Sequence, residues 1–374
     1  MRSLLDRTPL SFDVKLSFSL LVFACFILQG CTEEPANVQH GTSQYRCLNV
    51  GKTRPIRPFA SEASFYFWKV QSSLPRRQSL EALGVHRLYV RYFDVVYGRE
   101  GPRPVGIRKE ANTDLSVIPV VYVTTGALKD LEKAKIHTLA GNIWKLIKRI
   151  RPPDGEVQLD CDWTPSTREA YFHLLASLKQ IAQRDSEVGP VTISSTIRLH
   201  QLKYYRETGV PPADRGALMI YNMGEIANPE EKNSIFRWDL ARSYLQPRAL
   251  QDYPIPLDMA LPDFSWTLSF VHGSFHSILH LDERDLGQPG IESMESHRYR
   301  LKRDTVLDGQ SLPAGAELRF EGVDSCQRWE LVQYLGKVLP ARRDRRIILF
   351  DYDAKKISGK EKELIDLFAA IRAP

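Results

Sequence analysis

The sequence predicts a (β/α)8 barrel of the TIM type, and three observations carry the prediction. Short β-rich runs alternate with amphipathic helical patterns along most of the chain, as parallel βαβ units require. Eight such runs occur, the number that closes a barrel, over about 315 of the 374 residues. An open doubly wound sheet, the competing architecture, places a glycine-rich phosphate turn after its first strand, and this chain has none.

The chain starts with an address. Leu16–Leu28 is almost wholly apolar, follows Arg2, Arg7 and Lys15, and runs into Gln29-Gly30-Cys31. At about 13 residues it is shorter than the roughly 20 that cross a bilayer, and its basic start and small-residue end describe a secretion signal. Residues 32–57 are polar, with Pro35, Gly41 and Pro55, and read as a tether.

The strands expected from 58 onward are Ser64–Val70, Arg87–Val95, Val117–Val123, Val157–Asp162, Val191–Leu199, Ala217–Asn222, Ile255–Phe264 and Arg346–Asp351. Helices are expected at Ile136–Ile150, Thr167–Ala182, Asn233–Leu245 and Lys360–Ile371, where apolar residues recur at three and four. Pro152 and Pro153 stop the first of these. Residues 267–345, between the seventh and eighth strands, form the longest interruption. With β-like pieces at Ser296–Leu301, Glu317–Phe320 and Trp329–Tyr334, they read as an insertion forming a small β subdomain at one rim. The run Arg342-Arg343-Asp344-Arg345-Arg346 reads as a solvated face.

Composition narrows the function. Lys and Arg number 51 against 45 Asp and Glu, and the formal charge of +6 shows no concentrated basic footprint, so nucleic acid is not an expected partner. Cys31, Cys47, Cys161 and Cys326 are too widely spaced for a metal motif, and a Cys47–Cys326 disulfide is chemically allowed outside the cytoplasm. No cofactor is expected. His272, His276 and His280 would share a helix face and hold a metal with Asp282 or Glu283, but Gly273 and β-rich flanks argue against a helix there.

Chemistry in such a barrel belongs at the C-terminal ends of the strands. Asp160 and Asp162 end the fourth strand, and residues two apart share a strand face, so both carboxyls point together while Cys161 faces the helices. Two acids that close raise one another's pKa, which makes an acid or base near neutral pH. The alternative is that one caps the following helix or pairs with Arg198. Around them the strand ends offer Arg91, Tyr92, Asp94, Arg198, Tyr221, Asn222 and Trp266, with Trp163 directly after the pair. Glu225 and Asp353 are the expected sources of a separate general acid, standing about 5 Å or about 6.5–9.5 Å from Asp162 in a retaining or inverting pair. Asp160, Asp162, Asp351 and Asp353 together are also a conceivable cage for a hard cation.

Two resemblances add to this reading. Leu28-Gln29-Gly30-Cys31 resembles the lipobox of bacterial lipoproteins, which implies cleavage before Cys31, lipid on its thiol and attachment to a membrane of the cell envelope. Thr32, not Asp, follows it, which favours the outer membrane. Leu159-Asp160-Cys161-Asp162-Trp163 is similar to the strand-four motif of family 18 glycoside hydrolases, D-G-x-D-x-D-W-E. Asp160 and Asp162 match its second and third Asp and Trp163 its Trp, while Val157 stands at the first Asp and Thr164 at the catalytic Glu. Met219-Ile220-Tyr221-Asn222 resembles the same family's strand-six run, whose polar pair contacts the reacting sugar. The whole layout resembles an uncharacterised family of bacterial barrel lipoproteins. It implies a lipid-anchored envelope protein acting on or binding a saccharide. The alternatives are a non-catalytic sugar-binding or scaffold lipoprotein, and a metal-dependent hydrolase using the Asp cluster.

Overall fold

The computed structural model describes residues 56–342 and 344–372; Cys31, Cys47 and the expected signal and tether before residue 56 lie outside the described residues. Eight parallel strands close on themselves. They are β1 (Glu62–Phe67), β2 (Arg87–Gly98), β4 (Ser116–Val123), β5 (Glu156–Asp160), β6 (Thr192–Arg198), β7 (Arg215–Met219), β8 (Leu257–Pro262) and β16 (Arg346–Phe350), with β1 bonded to both β2 and β16. Each matches one expected run within a few residues. A further strand, β3 (Gly101–Val105), extends β2 as an antiparallel hairpin outside the ring.

The helices pack apolar stripes on this ring. Lys133–Ile150 buries Ile136, Leu139, Ala140, Ile143 and Ile147, spaced by three and four as one helical face demands. Arg168–Arg184 buries Tyr171, Leu174, Leu175 and Leu178 beside it. The expected Asn233–Leu245 helix is shorter, Trp238–Tyr244, because Asn233 Oδ1 accepts from the Ile235 and Phe236 amides and holds the chain in a turn.

Inside the ring the fill is polar. Arg346 donates to Tyr89 Oη at 2.7 Å and to Glu156, and Arg215 grips Asp258 through two bonds of 2.8 and 2.6 Å. Above them Tyr66 Oη donates to Gln158 Oε1 at 2.7 Å. The arginine run at 342–346 is therefore no solvated face at its C-terminal end. Arg345 is buried and donates to the carbonyls of Phe59, Leu257 and Pro340, while Arg346 neutralises acids within the barrel. Buried acids in this number need such partners, and only the closed barrel brings them together.

Seven strands follow β8 before the ring closes. β9 (Trp266–Val271), β10 (Ser274–Leu279), β11 (Ile291–Ser293), β12 (Arg298–Leu301) and β15 (Glu317–Glu321) form an antiparallel sheet in the order β10-β9-β15-β12-β11. β13 (Thr305–Leu307) and β14 (Gln310–Leu312) pair as a hairpin across Asp308-Gly309, both with positive φ. Leu279, Leu286, Leu301, Leu312 and Leu318 give this sheet its own small core. The stretch Trp329–Tyr334 is not β. It lies in the helix Ser325–Val338, whose N-terminus carries a reciprocal Asp324–Gln327 capping box, and its Trp329, Val332 and Leu335 pack on the barrel core. Cys326 in that helix is disulfide-bonded. His272 and Gly273 form the turn between β9 and β10, so the three histidines do not share a helix face.

Candidate functional site

Strand register assembles a row of polar groups at the C-terminal mouth. Asp94 on β2 pairs in register with Tyr122 on β4, and Tyr122 with Asp160 on β5. Thr196 on β6 completes the row by donating its hydroxyl to Asp160 Oδ1 at 2.7 Å. Asp160 retains 9% of its surface, and burial first, then the neighbouring Asp162, raises its pKa to about 7, against the Thr196 bond that lowers it. Asp162, one turn of the pleat farther out, takes an ion pair from Arg198 Nη1 at 2.7 Å. The second nitrogen of Arg198 donates to the Asn222 carbonyl at 2.9 Å, and Asn222 stands at a φ of 53° to present it. Of the expected pair, then, one acid is buried without a cation of its own and the other is ion-paired. Cys161, between them, is a free, buried thiol whose pKa burial pushes up.

Aromatic rings floor the mouth. Tyr221 stacks on Phe350 at 5.2 Å, Phe264 stands edge-on to both, and Trp68 meets Phe350 at 5.3 Å. Arg91 lies over the Trp68 ring, 5.1 Å from its centroid, and grips Asp94 with two nitrogens. That grip depends on a bulge. Between β2 and β4 the register passes from Arg91 directly to Phe93, leaving Tyr92 as the extra residue. The bulge shifts the alternation, so Arg91 and Asp94 meet while Tyr92 is buried in the field of Arg151, Asp154 and Arg108.

Four other expected site residues lie apart from the centre. Trp163 is 3% exposed and stacks on Tyr171 of the helix Arg168–Arg184 at 5.4 Å, so it faces the helical layer. Glu225 is an exposed residue of the loop after β7. Asp353 caps the helix Ala354–Ser358 through the Lys355 and Lys356 amides and pairs with Lys69 at 2.5 Å. Trp266 begins β9 and donates its ring nitrogen to Glu321 at 2.8 Å. Thr164 bonds the Ser166 and Thr167 hydroxyls in the turn that enters the same helix. The aspartates at the ends of β5 and β16 do not gather as a cage; among the described residues no group of three or more metal-ligating side chains does.

The free acid of the eighth strand is Asp351. Among the described residues it makes no hydrogen bond or ion pair, and burial raises its pKa to about 6. The lysines around it are engaged elsewhere: Lys69 with Asp353, Lys356 with Asp282 and the Ser265 hydroxyl, and Lys360 with Asp263. Two cavities flank the mouth. One of about 460 Å³ borders Asp162, Arg198, His200 and Arg168, and one of about 450 Å³ lies between Phe264, Lys356 and the small sheet's His297 and Phe320.

The small sheet is sewn to the loop that carries Asn222. Arg319 and Glu321, each 1% exposed, pair at 2.7 Å. Arg319 also donates to the carbonyls of Ile226, Asn228 and Pro229, and Glu321 accepts from Ser234 and Trp266. Neither residue carries a sequence signal beyond its charge inside a β-rich run.

No protein-family model matches the chain, and no curated protein sequence matches it. Among solved structures, a GH18 chitinase from Cycas revoluta in complex with (GlcNAc)3 is similar over 83% of this chain and 99% of that one, at 10% identity and a TM-score of 0.45. A chitinase-like agglutinin from Robinia pseudoacacia is similar over 82% and 99%, at 8% identity and a TM-score of 0.46. A xylanase-A-amylase inhibitor protein is similar over 83% and 98%, at 8% identity and a TM-score of 0.43. The barrel assignment rests on the strand pairing itself, not on these distant likenesses.

Proposed function

We propose that this chain is a lipid-anchored protein of the cell envelope whose barrel mouth receives a saccharide over Asp160 and Asp162. One observation carries the reading: a buried acid with a pKa near neutrality sits beside an acid–arginine pair and a floor of four aromatic rings, at the functional end of a closed barrel. Aromatic faces accept the apolar faces of sugar rings, while Asp162, Arg198 and Asn222 supply hydrogen bonds to hydroxyls. The two flanking cavities give room on either side for further rings. The lipid would sit on Cys31, and the Thr that follows it favours the outer membrane. Among the described residues no helix is long and apolar enough to cross a membrane.

The test is a glycan panel offered to wild type and to Asp162→Asn. Selective binding by the wild type, weakened at least about tenfold in the variant through the lost Arg198 pair, is the expected result. Equal binding by both proteins rejects the site. Mass spectrometry of the membrane fraction checks the anchor: diacylglyceryl mass on Cys31, absent in Cys31→Ala, is expected.

A further inference from the structure

β5 and β16 are the fourth and eighth strands of the ring and so stand opposite each other across the mouth. Asp160 ends the first and Asp351 directly follows the second. The Tyr221–Phe350 stack lies at the same mouth, and burial first, then Asp160, Asp162 and, least, Asp351, push the Tyr221 hydroxyl's pKa up. Of the two acids after β16, Asp353 is committed to a helix cap and a lysine, whereas Asp351 has no partner among the described residues.

We propose that Asp351 is the second carboxyl of a hydrolytic pair, acting with Asp160 from the opposite wall on a glycosidic bond, with inversion at the anomeric carbon. The proposal rests on the saccharide reading above and adds a reaction to it. Eight strands about 4.8 Å apart, tilted about 36°, enclose a ring about 15 Å across. The proposal requires both side chains to point inward; reaching about 2.5 Å from each Cα, they then leave their carboxyls on the order of 10 Å apart. That is near the inverting range of about 6.5–9.5 Å and about twice the separation of a retaining pair. A water fits in such a gap beside the sugar.

Protonated Asp160 gives its proton to the glycosidic oxygen as the bond from that oxygen to the anomeric carbon breaks. Water attacks the anomeric carbon from the other face and surrenders a proton to ionised Asp351. Asp160 then takes up and Asp351 releases a proton to solvent, so one water is consumed per bond. The carboxyl states this requires coexist between about pH 6 and about pH 7, the values to which burial raises Asp351 and Asp160.

The experiment offers (GlcNAc)4 and cello-, xylo- and malto-oligosaccharides to wild type, Asp351→Asn and Asp353→Asn. It measures binding by calorimetry, reducing ends by colorimetry and the first-formed anomer by proton NMR. Wild type should bind and cleave at least one probe with inversion, in a pH profile that falls below about 6 and above about 7. Asp351→Asn should keep binding and lose turnover by about 10²–10⁴-fold, and Asp353→Asn should keep both. Binding without turnover by wild type, a retained anomer, or full turnover in Asp351→Asn overturns the proposal and leaves the saccharide reading standing. Binding of no probe by any protein overturns both. Should Asp351→Asn fail to fold, the wild-type anomer and pH profile still decide.

Discussion

Replacing Asp160 with asparagine should stabilise the protein at alkaline pH and leave it unchanged in acid. The buried carboxyl holds its proton up to about pH 7, whereas the unfolded chain releases it near 3.8. A raised carboxyl pKa means that the folded state binds more protons than the unfolded state between those values, so stability falls as pH rises through that window. Three pKa units correspond to about 4 kcal/mol when fully expressed above about pH 7. The Arg198 guanidinium stabilises the ionised form of Asp160 and offsets part of this, so about 2–4 kcal/mol is expected. Asparagine cannot ionise, yet its amide oxygen still accepts the Thr196 hydroxyl, so the mutation removes the penalty and keeps the bond. Melting at about pH 8 should therefore rise by roughly 5–10 °C over wild type. At about pH 3, below the unfolded value of 3.8 as well as the folded one, the carboxyl is mostly protonated in both states and the two proteins should melt together. Calorimetric scans at the two pH values make the comparison. An Asp160→Asn offset that is the same at both would refute the claim that Asp160 is held protonated by burial.

Thr196→Val removes a hydrogen bond that favours ionised Asp160, and should move its titration upward by about one unit in carbon-detected NMR; no movement would dissociate the two residues. Arg319→Met breaks a fully buried ion pair and the three carbonyl contacts that hold residues 226–229. It should cost about 3–5 kcal/mol and accelerate hydrogen exchange in the loop after β7, with β4, β5 and β6 unaffected. Cys161 should resist thiol reagents in the native protein and react only on unfolding, because burial holds its thiol protonated.

The barrel was legible in the sequence because its signal is local. Eight apolar β runs and the three-and-four spacing of residues such as Ile136, Leu139, Ala140 and Ile143 do not depend on distant contacts. Asp160 and Asp162 were legible for the same reason: a strand's two-residue period places them together and turns Cys161 away. What escaped depends on departures from period or on long-range pairing. The bulge at Tyr92 cannot be read from RLYVRYFDV, and it decides that Tyr92 leaves the mouth while Arg91 and Asp94 meet. Asp351 and Asp353 look alike in sequence, and only the positions of Lys69 and a short helix show which one is occupied. Trp163 follows the pair and changes face with the chain's turn into the next helix, where Tyr171 receives it. The helix Ser325–Val338 was misread as β at Trp329–Tyr334; the signal passed over was Asp324-Ser325-Cys326-Gln327, a capping box that outweighs the β character of Trp329 and Tyr334.

Saccharide binding at this mouth requires a sugar ring to rest on the floor made by Tyr221 and Phe350. Calorimetric titration of the best-binding oligosaccharide into wild type and Tyr221→Ala at about pH 6.5 measures this directly. Loss of the stacking face should weaken affinity at least about tenfold, the equivalent of roughly 1.4 kcal/mol; because Tyr221 is buried against Phe350 and Phe264 the variant also melts earlier, so the titration is run well below its melting temperature. Undiminished affinity in Tyr221→Ala would place the ligand elsewhere and contradict the account.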